Sequence, residues 1–320
     1  MKRTHDEANL QLVVSAKNDG ADGVAVIQLQ TPEGTDLPAW SPGAHIDLML
    51  TSEITRQYSL CGDPADRSTW QIGVLREPAG RGGSQYVHDK ISVGDRAHIR
   101  GPRNRFELDD SPNYLFIAGG IGITPIMTMA AEADRAGAQW TLIYGGRSRS
   151  TMAFVDELCS RYPDNVIVFP QNERGLIDLD RLLGTPLPAT LIYACGPGPL
   201  LDAVTEKSRG WPDGSLRLER FSAKPLDEPV RESSFEIELS STGSRITVQP
   251  NESILDAVTA FGVQVLSSCK EGTCGTCETP VLEGTVDHRD SLLTKIEQDA
   301  NDTMMICVSR SSCPRLVLEL

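Results

Sequence analysis

Residues 267–277 read SSCKEGTCGTC, and the next cysteine along the chain is Cys307. Cys269, Cys274 and Cys277 are therefore spaced C-x4-C-x2-C, and 29 residues separate this triplet from Cys307. The spacing is typical of the four thiolate ligands of a plant-type [2Fe–2S] cluster. Because such a cluster accepts and releases one electron at a time, we expect the chain to take part in an electron-transfer pathway.

Two glycines inside this cysteine loop fit the same interpretation. Gly272 and Gly275 let the backbone turn tightly and direct its N–H groups at the sulfurs. A structural zinc site is the alternative, since zinc also binds four thiolates. Zinc ligands usually come as two short C-x2-C pairs, whereas here three cysteines stand together and the fourth is distant. The pattern favours the iron–sulfur cluster over zinc.

The composition narrows the class of protein further. A chain of 320 residues predicts two or three domains. Its net charge of −14 disfavours a nucleic-acid partner, because no basic face is available for phosphates. No apolar run approaches the roughly 20 residues of a membrane span, so we expect no membrane association. The chain begins MKRTHDEANL, without an apolar signal segment, which predicts a reducing, cytoplasmic location.

The part of the chain that carries the cysteines is acidic by itself. Residues 230–320 contain 14 acidic and 7 basic side chains, which gives a net charge of −7. An acidic cluster module often docks onto a basic patch of its electron partner. Acidity that only improves solubility explains the same composition equally well.

The pattern of apolar residues divides the chain into three zones and a linker. Residues 8–108 alternate short β-like runs with Gly/Pro turns, which predicts an antiparallel β-barrel. Residues 112–221 alternate buried strands with helical stretches, which predicts an α/β domain with a parallel sheet. Residues 222–234 are polar, contain two prolines and lack periodicity, as expected of a linker. Residues 235–320 combine short strands, a helix near 253–261 and the cysteine loop, which predicts an α+β, β-grasp-like domain.

Glycine-rich turns in the second zone indicate a dinucleotide site. Residues 114–137 read YLFIAGGIGITPIMTMAAEADRAG, so a strand runs into glycines and a helix begins near Thr124 and Pro125. Glycine lets the backbone approach a pyrophosphate, and the free N–H groups at a helix start bind it. This motif is not G-x-G-x-x-G, and a tight turn in any α/β domain is the alternative reading.

Two further loops in this zone follow predicted strands. Residues 193–199 read YACGPGP, and residues 144–149 read YGGRSR. Because ligands bind at the carboxyl ends of strands in open α/β sheets, these loops and the first are expected to face one ligand. Arg147 and Arg149 can meet ribose or phosphate oxygens, although a solvated surface loop is the simpler alternative.

A carrier is needed between a nicotinamide, which gives a hydride, and a cluster, which takes one electron, and a flavin can serve. In the first zone Arg56 and Tyr58 share one face of a predicted strand, and Ser59 points to the other. Arg56 suits a phosphate, Tyr58 a flavin ring and Ser59 the ring N5, but an ordinary exposed strand is the alternative. Residues 80–87, GRGGSQYV, offer a second anion site at a helix start.

These motifs occur in a fixed order along nearly the whole chain: R-x-Y-S at 56–59, GRGGS at 80–84, GPRN-x-F at 101–106, GGIGITP at 119–125, CGP at 195–197, ERF at 219–221 and the four cysteines. In this order they resemble the phthalate dioxygenase reductase and vanillate O-demethylase reductase family. The resemblance implies an FMN-binding β-barrel domain over residues 1–108, an NAD(H)-binding α/β domain over 109–221, a linker over 222–234 and a [2Fe–2S] ferredoxin domain over 235–320.

The resemblance also implies which residues hold each cofactor. The flavin residues would be Arg56, Gln57, Tyr58, Ser59, Gly82, Gly83, Ser84 and Phe221. The NAD residues would be Gly119, Gly120, Thr124, Pro125, Arg147, Cys195, Gly196 and Pro197. Ser59, Cys195 and Phe221 would lie near the flavin–nicotinamide contact, with Phe221 covering the ring face where the nicotinamide enters. The family prefers NADH, and the arginines of the 144–149 loop leave NADPH open.

The function implied is the reductase component of a two-component oxygenase. Electrons would pass from NADH through FMN and the cluster to a separate Rieske-type oxygenase for an aromatic acid, an aryl ether or a similar substrate. Because cofactors carry this chemistry, no catalytic His or carboxylate is expected, and His88, His98 and His288 are read as surface or structural residues. The alternatives are a reductase for a cytochrome P450, a stand-alone flavin or ferric reductase, and a nucleotide-sensing or zinc-bearing module without turnover. No heptad seam is recognisable, so a monomer is expected.

Overall fold

The computed structural model of the protein describes residues 8–52, 54–226 and 228–320. The chain forms two compact units, Met1–Glu219 and Arg220–Leu320. The first unit contains both an antiparallel and a parallel sheet, and the second contains the cysteine loop. The boundary predicted near residue 108 thus lies inside one compact unit, and the three-domain division stays a prediction. Among the helices of the described residues, none has the length and apolar character needed to cross a membrane.

The first unit begins with a curled antiparallel sheet of six strands in the order β4-β3-β6-β1-β2-β5. An isolated antiparallel bridge between Leu60 and Ile72 links its two edge strands, so the predicted antiparallel barrel is confirmed. Alternate apolar residues along the strands fill its core, as period-2 patterning requires. The elements are β1 Asn9–Ala21, β2 Val24–Gln30, β3 Ala44–Met49, β4 Thr55–Ser59, β5 Trp70–Leu75, α1 Gly83–Lys90 and β6 Arg96–Asn104.

A buried ionic network crosses this sheet at Asp47, whose side chain is fully buried. Arg100 donates to Oδ2 of Asp47 at 2.6 and 2.9 Å, and Arg103 donates to Oδ1 at 2.5 Å. Gln57 of β4 donates to the same Oδ1 at 3.1 Å. Burial alone would raise the pKa of Asp47, but the positive charges and hydrogen bonds of Arg103 and Arg100 lower it below its usual value. Asp47 is therefore an ionised carboxylate that ties β3 to β4 and β6.

The rest of the first unit is an α/β fold on a five-stranded parallel sheet in the order β11-β10-β7-β8-β9. This confirms the predicted parallel sheet, which has apolar clusters on both faces. The helix after β8 begins at Val155, directly after Phe154, which adopts a left-handed conformation with φ 63°. The elements are β7 Asn113–Gly119, α2 Ile123–Arg135, β8 Gln139–Gly146, α3 Val155–Arg161, β9 Val166–Pro170, α4 Gln171–Arg174, α5 Leu179–Leu183, β10 Thr190–Cys195, α6 Gly198–Lys207 and β11 Leu216–Glu219.

The second unit is an α+β fold on a mixed five-stranded sheet in the order β13-β12-β18-β14-β16, as predicted for a β-grasp-like ferredoxin domain. Its main helix, α7, is capped by the Ser253 side chain and ends at Gly262, which has φ 103°. The elements are β12 Phe235–Leu239, β13 Arg245–Val248, α7 Ile254–Phe261, β14 Glu278–Glu283, β15 Val286–Asp287, α8 Lys295–Ala300, β16 Thr303–Met305, β17 Arg310–Ser311 and β18 Arg315–Leu318.

The predicted linker, residues 222–234, has neither helix nor strand in its described part. Its backbone is nevertheless attached to the second unit. Lys224 donates its N–H to Oγ of Ser291 at 2.9 Å, and Val230 donates its N–H to Oδ2 of Asp287 at 3.1 Å. The described part of the segment thus has two attachment points on the second unit.

Replacing Asp47 by Asn should destabilise the first unit by about 3–5 kcal/mol, because Arg100 and Arg103 lose the buried carboxylate that both of them bind. All four tryptophans, at positions 40, 70, 140 and 211, belong to that unit, so tryptophan fluorescence during urea unfolding reports on it selectively.

The matched control is Asp180→Asn, which removes a carboxylate that is 74% exposed and paired with Lys207. An exposed pair of this kind contributes less than about 1 kcal/mol. Equal losses in the two variants would contradict the role given to Asp47.

Candidate cofactor sites

The four cysteines of the C-x4-C-x2-C…C pattern lie together in the second unit. All four are buried, with exposed fractions of 8% for Cys269, 2% for Cys274, 3% for Cys277 and 8% for Cys307. The sulfur of Cys269 is within hydrogen-bonding reach of Cys274 and Cys307, and that of Cys277 is within reach of Cys307. These contacts lower the pKa of Cys269 and Cys277 and raise that of Cys307, because the neighbouring sulfurs share their protons.

The backbone of the cysteine loop points its N–H groups at these sulfurs. Glu271 and Thr273 donate to Sγ of Cys269 at 3.3 and 3.5 Å, and Thr276 donates to Sγ of Cys274 at 3.4 Å. The loop turns through left-handed conformations at Lys270, Gly272 and Gly275, with φ of 56°, 69° and 75°. Such donors stabilise the reduced cluster and tune its potential, so the loop fits a [2Fe–2S] group.

Within the described residues, no three His, Cys, Asp or Glu side chains are arranged around one metal ion. A [2Fe–2S] cluster does not require such an arrangement, because its two irons divide the four thiolates between them. The pairwise contacts among the four sulfurs are compatible with that division.

Gly272 also supports the loop from behind. A Cβ atom there would lie 2.5 Å from Cγ2 of Val308 and 3.0 Å from Cα of Asp290, so no side chain fits. The carbonyl oxygen of Gly272 accepts a hydrogen bond from Ser291 N at 2.9 Å. The Asp290 carboxylate, in turn, accepts the N–H of Leu293 at 2.7 Å. The loop is thus fixed against the 290–293 turn, a contact that the sequence did not indicate.

In the first unit, the loops predicted to bind a dinucleotide meet at one edge of the parallel sheet. Strands β7 and β10 are neighbours, with Ala118 paired to Cys195. Strands β8 and β9 lie on one side of β7, and β10 and β11 lie on the other. This is a topological switch point, where ligands bind in open α/β folds. Strand β8 ends at Gly146, and the loop that follows it leaves from the same edge.

The glycines of the first two loops pack against each other. A Cβ atom at Gly122 would overlap the carbonyl group of Cys195, and one at Gly119 would lie 2.7 Å from Cδ of Pro197. A Cβ atom at Gly196 would lie 3.0 Å from the backbone of Gly119. Contact between the two loops is therefore sufficient reason for these glycines. Gly120 differs, since it has φ 55° and open space where a Cβ would be.

Other residues predicted for the nucleotide site differ in burial: Thr124 and Pro125 are buried, and Arg147 is exposed. The Thr124 hydroxyl donates to the carbonyl of Ile121 at 2.9 Å, and its methyl group lies against Gly73 of the barrel sheet. Pro125 is buried in the first turn of α2. Arg147 is exposed. Arg147 is thus an exposed cation at the edge where the dinucleotide is predicted to bind, whereas the first residues of α2 are buried.

The two predicted flavin motifs meet in the structure, although about 25 residues separate them. Arg56 donates to the carbonyl of Arg81 at 2.7 Å, and a Cβ atom at Gly83 would lie 2.5 Å from Cγ of Arg56. Gly82, with φ 78°, leads into α1, whose first turn contains no acidic residue. The Ser84 hydroxyl accepts the N–H of Glu77 at 3.0 Å. A guanidinium beside free helix N–H groups fits a phosphate.

The remaining flavin candidates lie on β4. Tyr58 is on the same face as Arg56, and burial raises the pKa of its phenol, which is therefore neutral. Gln57 and Ser59 lie on the face opposite to Arg56 and Tyr58. Ser59 is buried there, and Gln57 donates a hydrogen bond to Asp47. Phe221 follows β11 by two residues, is 42% exposed, and belongs to the second unit; its place on the flavin ring stays a prediction.

Glu219, the last residue of β11, has surroundings that the sequence did not predict. Glu219 is paired in register with Cys195, whose thiol lies 3.9 Å from its Oε2. Burial raises the pKa of Glu219 to about 8, against the opposing effect of its hydrogen bond with Cys195. Burial likewise raises the pKa of the Cys195 thiol. Both groups are neutral at pH 7. The available signal was a carboxylate that ends a strand at the ligand-binding edge of the sheet.

Two family models match the chain. A 2Fe-2S iron-sulfur cluster binding domain matches residues 237–312, and an oxidoreductase NAD-binding domain matches residues 116–206. Among curated proteins, phenoxybenzoate dioxygenase subunit beta of Ectopseudomonas oleovorans is 41% identical over 98% of both chains. Vanillate O-demethylase oxidoreductase of Pseudomonas putida is 39% identical over 97% of this chain and 100% of its own length.

Two solved structures extend the comparison. Phthalate dioxygenase reductase, described as a modular structure for electron transfer from pyridine nucleotides to [2Fe–2S], matches with a TM-score of 0.72 and 34% identity over 98% of both chains. An intact type IV self-sufficient cytochrome P450 monooxygenase matches with a TM-score of 0.92 and 43% identity. The match covers 98% of this chain but only 41% of that longer chain.

Changing Gly272 to Ala should lower the cluster content of the purified protein, because the new methyl group collides with Val308 and Asp290 behind the loop. The measurement is iron and acid-labile sulfide per chain, together with visible absorbance. Gly243→Ala is the matched control, since Gly243 has almost the same φ, 68°, but open space around its Cβ position. Full cluster content in both variants would show that the contact is dispensable.

The stability of the first unit should fall as pH rises from about 4.5 to about 8. In this window the unfolded chain has released the Glu219 proton while the folded chain still holds it, at a cost of up to about 1.4 kcal/mol per pH unit. Glu219→Gln should remove this slope, whereas Glu206→Gln, a change at an exposed carboxylate, should keep it. Tryptophan-monitored urea unfolding at several pH values gives the test, and parallel slopes in all three proteins would refute the assignment.

Proposed function

Because the chain belongs to the family of oxygenase reductases that includes vanillate O-demethylase oxidoreductase and phthalate dioxygenase reductase, we propose that it supplies electrons to a separate terminal oxygenase. It is an NADH-dependent oxidoreductase whose cofactors are FMN and a [2Fe–2S] cluster. The observation that carries the proposal is full-length similarity to such reductases combined with a cysteine loop whose backbone N–H groups point at buried sulfurs.

Each residue set has a defined task in this function. Cys269, Cys274, Cys277 and Cys307 hold the cluster, and the loop N–H groups offset the negative charge that it gains on reduction. Arg56 and the start of α1 bind the FMN phosphate, while Tyr58 and Ser59 border the ring. When bound, FMN accepts a hydride from NADH and releases single electrons, which joins two-electron and one-electron chemistry.

The loops after β7, β8 and β10 form the proposed NADH site. The glycine-rich turn that leads into α2 binds the pyrophosphate, and Arg147 meets ribose or phosphate oxygens at the rim. The Glu219 carboxyl group, whose Oε2 faces the Cys195 thiol, retains its proton below about pH 8, so no carboxylate charge there repels the dinucleotide phosphates. The chain thereby provides positive charge at the rim and neutral groups at the centre.

The substrate of the partner oxygenase is proposed from relatives alone. The curated relatives are reductases of systems named for phenoxybenzoate and vanillate, so we infer a Rieske-type oxygenase acting on an aromatic acid or aryl ether. A cytochrome P450 is the second candidate, favoured by the high similarity to part of a self-sufficient P450 monooxygenase. Turnover with a purified Rieske oxygenase, compared with turnover with a purified P450, separates the two. Monomeric state and cytoplasmic location remain predictions from the sequence.

Changing Cys307 to Ser should reduce NADH-driven turnover of the oxygenase to the level seen without reductase, because the cluster loses a ligand. Direct reduction of a small electron acceptor such as ferricyanide by the flavin should persist. When the same variant is titrated anaerobically with NADH, the flavin band should bleach. The broader iron–sulfur absorbance should show no matching decrease.

Cys313→Ser provides the control, since Cys313 lies in the same unit but outside the four-cysteine set. Its coupled turnover should match that of the unaltered protein. Survival of coupled turnover in Cys307→Ser would rule out this electron route, because the oxygenase would then receive electrons without the four-cysteine cluster.

A further inference from the structure

The C-terminal end of α1 is held by a lysine from a distant strand. Nζ of Lys17, on β1, donates to the carbonyl oxygens of Val87 at 3.0 Å, His88 at 2.7 Å and Ile91 at 2.8 Å. The last carbonyls of a helix have no partner within the helix, and a cation there satisfies them and opposes the negative end of the helix dipole. One ammonium group therefore binds three of these acceptors.

The helix that Lys17 holds is short and depends on such contacts. With eight residues, α1 is about 12 Å long, and an isolated helix of that length is not stable in water. Along its side, Nε2 of His88 is 2.9 Å from the carbonyl of Val74, and Asp89 forms a two-pronged ion pair with Arg76 at 2.7 and 2.9 Å. These contacts fix α1 to β5, and Lys17 fixes its last turn to β1.

The opposite end of α1 is the phosphate site described above, where the Arg56 side chain lies against Gly83. The N–H groups at that end can bind a phosphate only while the helix is wound and correctly placed. The negative partial charge at the C-terminal end also repels a phosphate, and the Lys17 charge compensates for it.

We propose that Lys17 is a positioning residue for the FMN phosphate: it holds α1 wound and compensates its C-terminal charge, so that the helix start binds the phosphate beside Arg56. The inference rests on the proposed function, since it assumes that FMN binds at this helix. Lys17 itself contacts the far end of the helix and not the cofactor.

The experiment compares FMN with riboflavin, which lacks the phosphate. Flavin is removed from the full-length protein, and the Kd of each flavin is measured from quenching of its fluorescence. Lys17→Met should raise the Kd for FMN about three- to tenfold and leave the Kd for riboflavin unchanged, because only FMN uses the helix N-terminus. Lys17→Arg should restore FMN binding. Lys90→Met is the matched control: it removes a positive charge from the exposed side of the same last turn but leaves the three carbonyl contacts of Lys17, so it should raise the Kd for FMN less than Lys17→Met does.

The outcomes separate this inference from the proposed function. If the unaltered protein binds FMN no more tightly than riboflavin, the phosphate site itself is misassigned and the FMN assignment fails. If it prefers FMN and Lys17→Met keeps that preference, the role of Lys17 is refuted. Equal weakening for both flavins would also refute it, since Lys17 would then support only the fold. Should Lys17→Met not accumulate as folded protein, Lys17→Gln takes its place with the same criteria.

Discussion

The carboxylate of Asp47 is the constraint on which the position of β4 depends, the strand that carries the proposed flavin residues Arg56 and Tyr58. It accepts hydrogen bonds from Arg100 and Arg103 on β6 and from Gln57 on β4. Gln57 stands between Arg56 and Tyr58, and strand residues alternate between faces. Fixing Gln57 on the inner side therefore fixes both neighbours on the opposite side. A buried ion pair seldom adds much stability over an apolar core, but it defines one strand register, which is what a binding strand needs.

Spacing along the chain was enough to predict the parts of the protein that are local. Three of the four cysteines are close in sequence, and period-2 alternation identified the barrel strands, because both properties are contained in short windows. Contacts between distant elements were not predictable in this way. Glu219 meets Cys195 because β10 and β11 pair in one particular parallel register, and Lys17 reaches α1 across about 70 residues. A carboxylate at the end of a strand was the available signal for the first contact, and the residues around Lys17 gave none for the second.

The 222–234 segment shows a second limit of composition. Polar residues and prolines predict correctly that the segment forms no helix or strand in its described part. They do not reveal that Ser291 and Asp287 accept hydrogen bonds from its backbone. Ser291 also donates its N–H to Gly272 in the cysteine loop. One short segment of the second unit thus contacts the linker and the back of the cluster loop together, which makes the linker part of the cluster's surroundings.

The packing of Gly119 and Gly122 against the loop after β10 has a consequence for the inheritance of this fold. Both glycines are required before any nucleotide arrives, because protein atoms occupy the space that a side chain would fill. A descendant that lost its coenzyme would still be selected to keep them, since replacing either would push two loops apart. In such a lineage the glycine signature would outlast the activity, and a search by motif would continue to report a nucleotide enzyme. Charged and exposed positions such as Arg147 would change first, and their substitution would indicate that the coenzyme site had been lost.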